Sequence, residues 1–259
     1  MPTKRGPTLV QVAETIAAGI DAAIPFDEFI QRVLARYKSK SKNPARLVRM
    51  NSRYELPRLG IVFLDSKTLI PLRVALQGTR FRVLLDAAQL KQGVIWQDDW
   101  FMPFAKASFG YQPTLEPLTL FDENAQRIPT RSVTLKFKAP RGKASDVLAA
   151  VLGDMADLRT AIELGGWLRE QEAREGDCIL VTVLDWEHAQ FTLELEPRAQ
   201  RRQAEIEAQN RALADVLWDI LQETKDERLI LNPGIATAYA RLSSARDYPG
   251  DHWKLVLDA

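Results

Sequence analysis

Ile61-Val62-Phe63-Leu64-Asp65-Ser66-Lys67-Thr68-Leu69-Ile70-Pro71-Leu72 sets two short apolar runs on either side of a polar turn, the pattern of a β-hairpin. Working outward, three helical patterns precede it. Thr8 to Ile20 carries Leu9, Val12, Ala13, Ile16, Ala17 and Ile20 at a period near 3.6, with Pro7 and Thr8 as its start and Gly19 near its end. Pro25 opens a second helix, where Asp27 and Glu28 suit the first turn. Phe26, Phe29, Ile30, Val33, Leu34 and Tyr37 line one of its faces. A third helix is expected from Pro44 to about Tyr54, with Leu47 and Met50 or Asn51 facing inward. Pro71 cannot donate to a ladder, so the second hairpin strand is expected at a sheet edge.

Charge is distributed unevenly over this segment. Between Arg32 and Arg58 lie Arg32, Arg36, Lys38, Lys40, Lys42, Arg46, Arg49, Arg53 and Arg58, against the single acid Glu55. Arg46, Arg49 and Arg53 stand at i, i+3 and i+7, which puts three guanidiniums on one stripe of the third helix. A merely solvated face would mix signs, and this one does not. The whole chain has a net charge of only +1, so any nucleic-acid footprint is local.

Three helices followed by a hairpin is the layout of a winged helix, whose recognition helix enters the major groove. Over about the first 75 residues the chain resembles the HARE-type winged helix of the bacterial RNA polymerase delta subunit, some restriction enzymes and chromatin regulators. The resemblance rests on Leu9 to Ile16, Ile24-Pro25-Phe26 to Val33, and Leu59-Gly60-Ile61-Val62-Phe63 with the hairpin that follows. It implies contact with DNA, or with a protein bound to DNA.

The middle of the chain reads as β-rich. Thr79 to Leu85 alternates, Gly93 to Trp96 and Leu118 to Phe121 are short apolar runs, and Asp122 to Ala125 is a turn. Val133, Leu135 and Phe137 fall on one face of a strand whose other face carries Thr134, Lys136 and Lys138. Cys178 to Leu184 and Phe191 to Glu196 complete a set that points to a barrel or sandwich. Helical patterns run from Ser145 to Met155 and from about Leu164 to Ala173. Gly166-Trp167-Leu168, then Arg174-Glu175-Gly176-Asp177 opening the Ile179 to Leu184 strand, resembles the DNA-binding pseudobarrel of plant transcription factors and restriction-endonuclease effector domains. The resemblance spans Phe81 to Pro197, with Val94-Ile95-Trp96, Leu118 to Phe121 and Asp122-Glu123-Asn124 in matching order. It departs at Ala144 to Glu163, a helical insertion beside one DNA-contacting arm. The cluster Arg131, Lys136, Lys138, Arg141 and Lys143 lies near that arm, and reads either as a second DNA surface or as a lysine-protected edge.

Beyond Pro197 the chain reads as helical. Arg198 to Gln222 is one long helix, polar first and amphipathic from Leu213, so its first half is expected to project or link. A helix from Ile235 to about Leu242 and a short strand from Lys254 to Leu257 follow.

Catalytic chemistry has little footing. His188 and His252 have no second ligand at metal spacing, and Cys178 has no neighbouring histidine or basic residue in sequence. Asp98-Asp99 and Asp177 with Asp185 are the acids available to a nuclease metal, but no acid-x-Lys strand accompanies them, and Asp177 suits a turn. A single cysteine rules out an internal disulfide and fits a reducing compartment. The apolar run Ile179 to Leu184 falls far short of the ~18 residues of a membrane span, and the N-terminus lacks a secretory core.

The expectation is therefore an α+β chain of three parts: a winged-helix-like domain at 1–78, a β-barrel-like domain at 79–197 with a helical insertion, and a helical extension at 198–259. It is expected to be a cytoplasmic, non-enzymatic, regulatory or restriction-associated DNA-binding protein (nucleoid-associated if bacterial), without cofactor or metal. Double-stranded DNA would be held by Lys38, Lys40, Lys42, Arg46, Arg49, Arg53 and Arg58, and by the Arg131 to Lys143 cluster. The alternatives are an adaptor that captures a protein partner through the 198–222 helix, and a metal-dependent nuclease.

Overall fold

The computed structural model describes residues 7–106, 115, 117–137, 157–223 and 231–258, with side chains except at 53, 54, 98, 99, 135–137, 157–159, 231, 232, 243, 245 and 258. The fold is mixed α and β. Among the described residues no helix is long and apolar enough to cross a membrane.

Residues 9–69 build one apolar cluster from three helices and a small sheet. Helix α1 (Leu9–Ala17) starts at Thr8, whose hydroxyl and the Gln11 side chain cap each other's backbone N–H. Strand β1 (Ile24–Pro25) runs directly into α2 (Phe26–Arg36), and Asn43 caps α3 (Pro44–Glu55) by accepting from the Arg46 N–H at 3.0 Å. Val12, Ile16, Phe26, Phe29, Val33, Val48, Leu56, Ile61 and Leu69 interlock. The inward face of α3 is Val48, Ser52 and Leu56, while Met50 is 56% exposed and Asn51 is also exposed. The expected inward row, Leu47 with Met50 or Asn51, is therefore corrected: Leu47 is only half-buried, and packing against α2 buries the neighbouring Val48 row instead.

Hairpin strands β2 (Ile61–Phe63) and β3 (Thr68–Pro71) join β1 in the order β1-β3-β2, so β3 is central rather than at an edge. Pro71 is tolerated there for a specific reason. The Leu72 N–H donates to the Gly60 carbonyl, which turns the Pro71 nitrogen away from β2. On the other side β1 reaches only to Ile24 opposite Leu69, so no partner waits for the missing donor.

After the one-turn helix α4 (Leu72–Ala75), strand β4 (Arg80–Leu84) enters a four-stranded sheet. Helix α5 (Ala87–Gln92), strand β5 (Val94–Trp96), helix α6 (Gln97–Trp100), and strands β6 (Thr119–Phe121), β7 (Arg131–Phe137) and β8 (Asp157–Glu163) follow. Helix α7 (Gly165–Glu170) then leads to strands β9 (Cys178–Asp185) and β10 (Gln190–Glu196). The strands form two sheets, ordered β4-β9-β10-β6 and β5-β8-β7, and no closed barrel joins them among the described residues. Strand β9 lies between two neighbours and is buried over most of its length, which accounts for its unbroken apolar run. Phe81, Phe104 and Phe191 meet beneath it, the first two stacked at 4.0 Å.

The expected helical insertion needs correcting at its end. Residues Asp157 to Glu163 are a strand, the centre of β5-β8-β7, with Ile162 opposite both Ile95 and Ser132. The Ser145 to Met155 pattern lies outside the described residues.

The C-terminal segment also differs from expectation. Helix α8 (Gln203–Glu223) and helix α9 (Leu231–Arg241) put Leu213, Leu217, Ile220, Ile235 and Tyr239 into the same core as the four-stranded sheet. The polar first half of α8 neither projects nor links. Its Asn210 side chain donates to Asp251 at 2.8 Å and accepts from the Asp251 N–H at 2.7 Å. Gly250 passes so close that a Cβ would sit 2.4 Å from the Asn210 side-chain Oδ1. Residues Trp253–Asp258 form helix α10, not a strand.

This returning loop covers the outer face of the sheet. Arg80 and Arg82 on β4 reach over β9 to Glu194 and Glu196 on β10. Arg82 is only 1% exposed. Its Nε donates to Glu196 at 2.9 Å and its Nη1 to the carbonyls of Pro249 and Gly250, each at 2.7 Å. The Tyr248 hydroxyl donates to the same Glu196, and the Arg82 and Arg202 guanidiniums lie over the Tyr248 ring. Removing one partner of such a pair strands the other charge in a dry site. Arg82→Ala should therefore lower unfolding free energy by about 3–5 kcal/mol, whereas Arg80→Ala, whose partner Glu194 is half in water, should cost about 1 kcal/mol or less. Urea unfolding of the two variants measures the difference.

Candidate nucleic-acid interface

Residues 37–43 join α2 to α3. Ser39 accepts from the Ser41 N–H at 3.0 Å, and Ser41 accepts from the Asn43 N–H at 3.2 Å. These local bonds satisfy the loop backbone and leave the interleaved Lys38, Lys40 and Lys42 exposed. Arg46 follows in the first turn of α3, also exposed. These four cations occupy nine consecutive residues that contain no acid.

The rest of the predicted stripe is less uniform. Arg49 is tied back to α2: its Nη2 donates to Asp27 at 2.5 Å, and its guanidinium lies 5.1 Å from the centre of the Phe26 ring. It is exposed but partly neutralised, so it clamps α3 to α2. Arg58 is exposed with Glu55 at 3.7 Å, and the Arg53 side chain lies outside the described set. On the far side of α2, Arg32 pairs with Glu28 at 2.6 Å.

The hairpin turn is held by an acid. Asp65 accepts from the N–H groups of Lys67 and Thr68 at 2.7 and 2.8 Å. The Lys67 N–H is the main cause that holds its carboxyl below the usual range, helped by Thr68 and outweighing slight burial.

The second predicted cluster is only partly described. Arg131 is exposed at the start of β7, opposite Glu163. Lys136 is opposite Leu158 in the same ladder, with its side chain outside the described set. Lys138, Arg141 and Lys143 lie outside the described residues. Arg131 shares a cleft with Lys91 and Arg169, which nothing in the sequence pattern singled out because they lie on α5 and α7, far from it along the chain.

Groups with catalytic potential have structural occupations. Asp177 accepts from the N–H groups of Arg174 and Arg198, a turn role. His188 is exposed and bonded to Asp185 at 2.8 Å. Burial alone would raise the Asp185 carboxyl, but bonds from His188 and from the Glu187 N–H outweigh it and hold it low. His252 is buried among Phe81, Phe104, Trp100 and Trp253, with Nε2 at 3.0 Å from the Trp100 carbonyl. Cys178 does have a basic neighbour, Arg201, whose guanidinium donates to its sulfur. Burial nonetheless pushes the thiol up to about 11 against that pull, which keeps it protonated and a poor nucleophile at neutral pH. Among the described residues no three His, Cys, Asp or Glu side chains group as a metal site, and the Asp98 and Asp99 side chains are not described.

No protein-family model, curated protein or solved structure matches the chain.

Because the folded pKa of Asp65 is depressed, its contribution to stability is present above the unfolded value of about 3.9 and is lost as pH falls through the lower folded value. Titration of the Asp65 carboxyl by NMR should show a midpoint below about 3.9, with the Lys67 and Thr68 amides moving in step. A midpoint at or above that value contradicts the turn geometry.

Proposed function

We propose that this is a DNA-binding protein whose first eighty or so residues act as a winged helix, with α3 as the helix presented to the major groove. One observation carries the reading: Lys38, Lys40, Lys42 and Arg46 are exposed together on the loop and first turn of α3, with no acid among them. Side chains at a recognition helix's N-terminal end reach base edges, and mobile lysines beside it engage phosphates. Three-stranded pairing of β1 with the hairpin is compatible with a wing. The two sheets behind it would correspond to the pseudobarrel, with Arg131 on its margin. Since Arg49 is held by Asp27, it supports the helix more than it touches DNA.

Gel-shift titrations against random duplex at two salt concentrations test this. Binding should weaken with salt, and the triple variant Lys40→Glu/Lys42→Glu/Arg46→Glu should abolish it. Each cation neutralised should flatten the slope of log K against log salt by about 0.9, and Arg46→Gln should cost more affinity than Arg49→Gln. Absent or salt-insensitive binding by the full chain would sink the reading.

A protein partner held through α8 is the second reading, favoured by Trp218, 61% exposed, and Leu221, 43% exposed, on that helix. It requires that Trp218→Ala abolish binding of a partner while leaving duplex affinity unchanged. Loss of duplex affinity in that variant counts against it.

A further inference from the structure

Between α5–β5 and the β7–β8–α7 corner lies a cleft of about 490 Å³. That is within the roughly 300–1,000 Å³ of small-molecule sites. It opens at one end of the β5-β8-β7 sheet, where Glu163 on β8 stands opposite both Val94 on β5 and Arg131 on β7. Three elements each supply a cation to its wall: Lys91 from the last turn of α5, Arg131 from the start of β7 and Arg169 from α7. All three are exposed, and among the described residues none forms an ion pair. Among the described residues Glu163 is the only acid in the lining, so these side chains carry three positive charges and one negative, a net +2.

The backbone around these cations is shaped by glycine. Gly93 and Gly165 pack so closely that a Cβ on Gly93 would lie 2.9 Å from the Gly165 Cα. The Leu164 N–H donates to the Gly93 carbonyl at 2.8 Å, locking α5–β5 to the β8–α7 corner. Arg169 folds back along its own helix, with Nη1 3.3 Å from where a Gly165 Cβ would be. The missing side chain thus leaves room for the guanidinium at the cleft. Next to it Gly166 also lines the wall, and a Cβ there would meet nothing within 4 Å.

We propose that this cleft binds a phosphate monoester of mononucleotide size, either a free nucleotide or the 5′-phosphate end of a strand. The charge selects the class. A phosphate monoester carries about −1.5 to −2 at neutral pH, which a net +2 wall matches, whereas an internal phosphodiester carries a single negative charge. Two arginines supply forked donors for phosphate oxygens, and Lys91 adds a point charge. Glu163, opposite Arg131 at the sheet end, faces the donor groups of a sugar or base rather than its phosphate. The site is separate from α3 and shares no residue with it.

Isothermal titration calorimetry of the full chain tests the assignment with inorganic phosphate, a nucleoside 5′-monophosphate, the matching nucleoside, and single strands with a 5′-phosphate or a 5′-hydroxyl. The phosphorylated ligands should bind and the nucleoside and 5′-hydroxyl strand should not. Tighter binding of the mononucleotide than of the 5′-phosphate strand identifies the free ligand as the source, and the reverse order the strand end. Arg131→Gln and Arg169→Gln should each weaken binding about tenfold, and Gly166→Leu should block it by filling open space without changing charge. Thermal unfolding of each variant checks that it is folded, and Lys91→Gln replaces any that is not. No heat from any phosphorylated ligand up to about 10 mM, or undiminished affinity in the charge variants, overturns the proposal. Arg46→Glu should bind the monophosphate as the parent protein does, so failure here and failure of duplex binding are separable.

Discussion

A guanidinium sealed from water must be neutralised where it sits, and Arg82 is sealed on the outer face of the four-stranded sheet. Its charge is met by Glu196 from two strands away, and its remaining donors by the carbonyls of Pro249 and Gly250. Neither partner set suffices alone. Without the loop, Arg82 and Glu196 would be an ordinary cross-strand pair in water. Without the pair, the loop would cover a bare polar surface with unsatisfied carbonyls. Because residues 248–251 are held there, Asp251 reaches Asn210 and α8 is drawn along the sheet. Trp253 then reaches the Met102 carbonyl from the start of α10. The end of the chain is in this way built into the middle of the fold.

The N-terminal unit is joined to the rest by a comparable but more exposed device. Arg73 donates to the Ile20 carbonyl and to Asp21, and lies near Glu187 from the β9–β10 turn. Gly60, at φ +69, lets the Trp186 ring come within 2.8 Å of where a side chain would begin. The three helices therefore keep their own core while resting on the larger one, with the basic loop before α3 left in solvent. A chain whose total charge is close to zero can still present a strong local field if its cations are exposed and close together with no acid between them, and the segment from Lys38 to Arg46 meets that condition.

Much of the fold was legible where the signal was local. Helices α1 and α2 lie under the expected apolar stripes, the hairpin turns at Asp65, and β4, β9 and β10 match, to within a residue, the runs expected as strands. Local signals failed where two periods competed. In α3 the aliphatic residues are too few to choose a face, and packing against α2 buried Val48 and Ser52 instead of Met50. Lys254 to Leu257, a short apolar run behind one lysine, reads as a strand but forms part of helix α10. Strand β8 was hidden because Asp157 to Glu163 is strand-like only when β5 and β7 flank it. Of the candidate site, the exposed lysines and Arg46 were readable as a sign-biased run, whereas the Arg49–Asp27 clamp spans two helices and leaves no mark in spacing.

By itself, then, the sequence determined the helical and strand segments with a strong period, the uneven placement of charge, and the scarcity of metal-ligand and nucleophile patterns. Those properties belong to neighbours along the chain, and short-range sterics and solvation are enough to express them. Only the tertiary structure decided that Arg82 is buried rather than solvated, that the polar half of α8 is packed, that β3 is central despite Pro71, and that Lys91, Arg131 and Arg169 share one cleft. Each of these depends on groups far apart in the chain meeting across a surface. The free energy of such a meeting comes from desolvation and charge pairing that no local window contains.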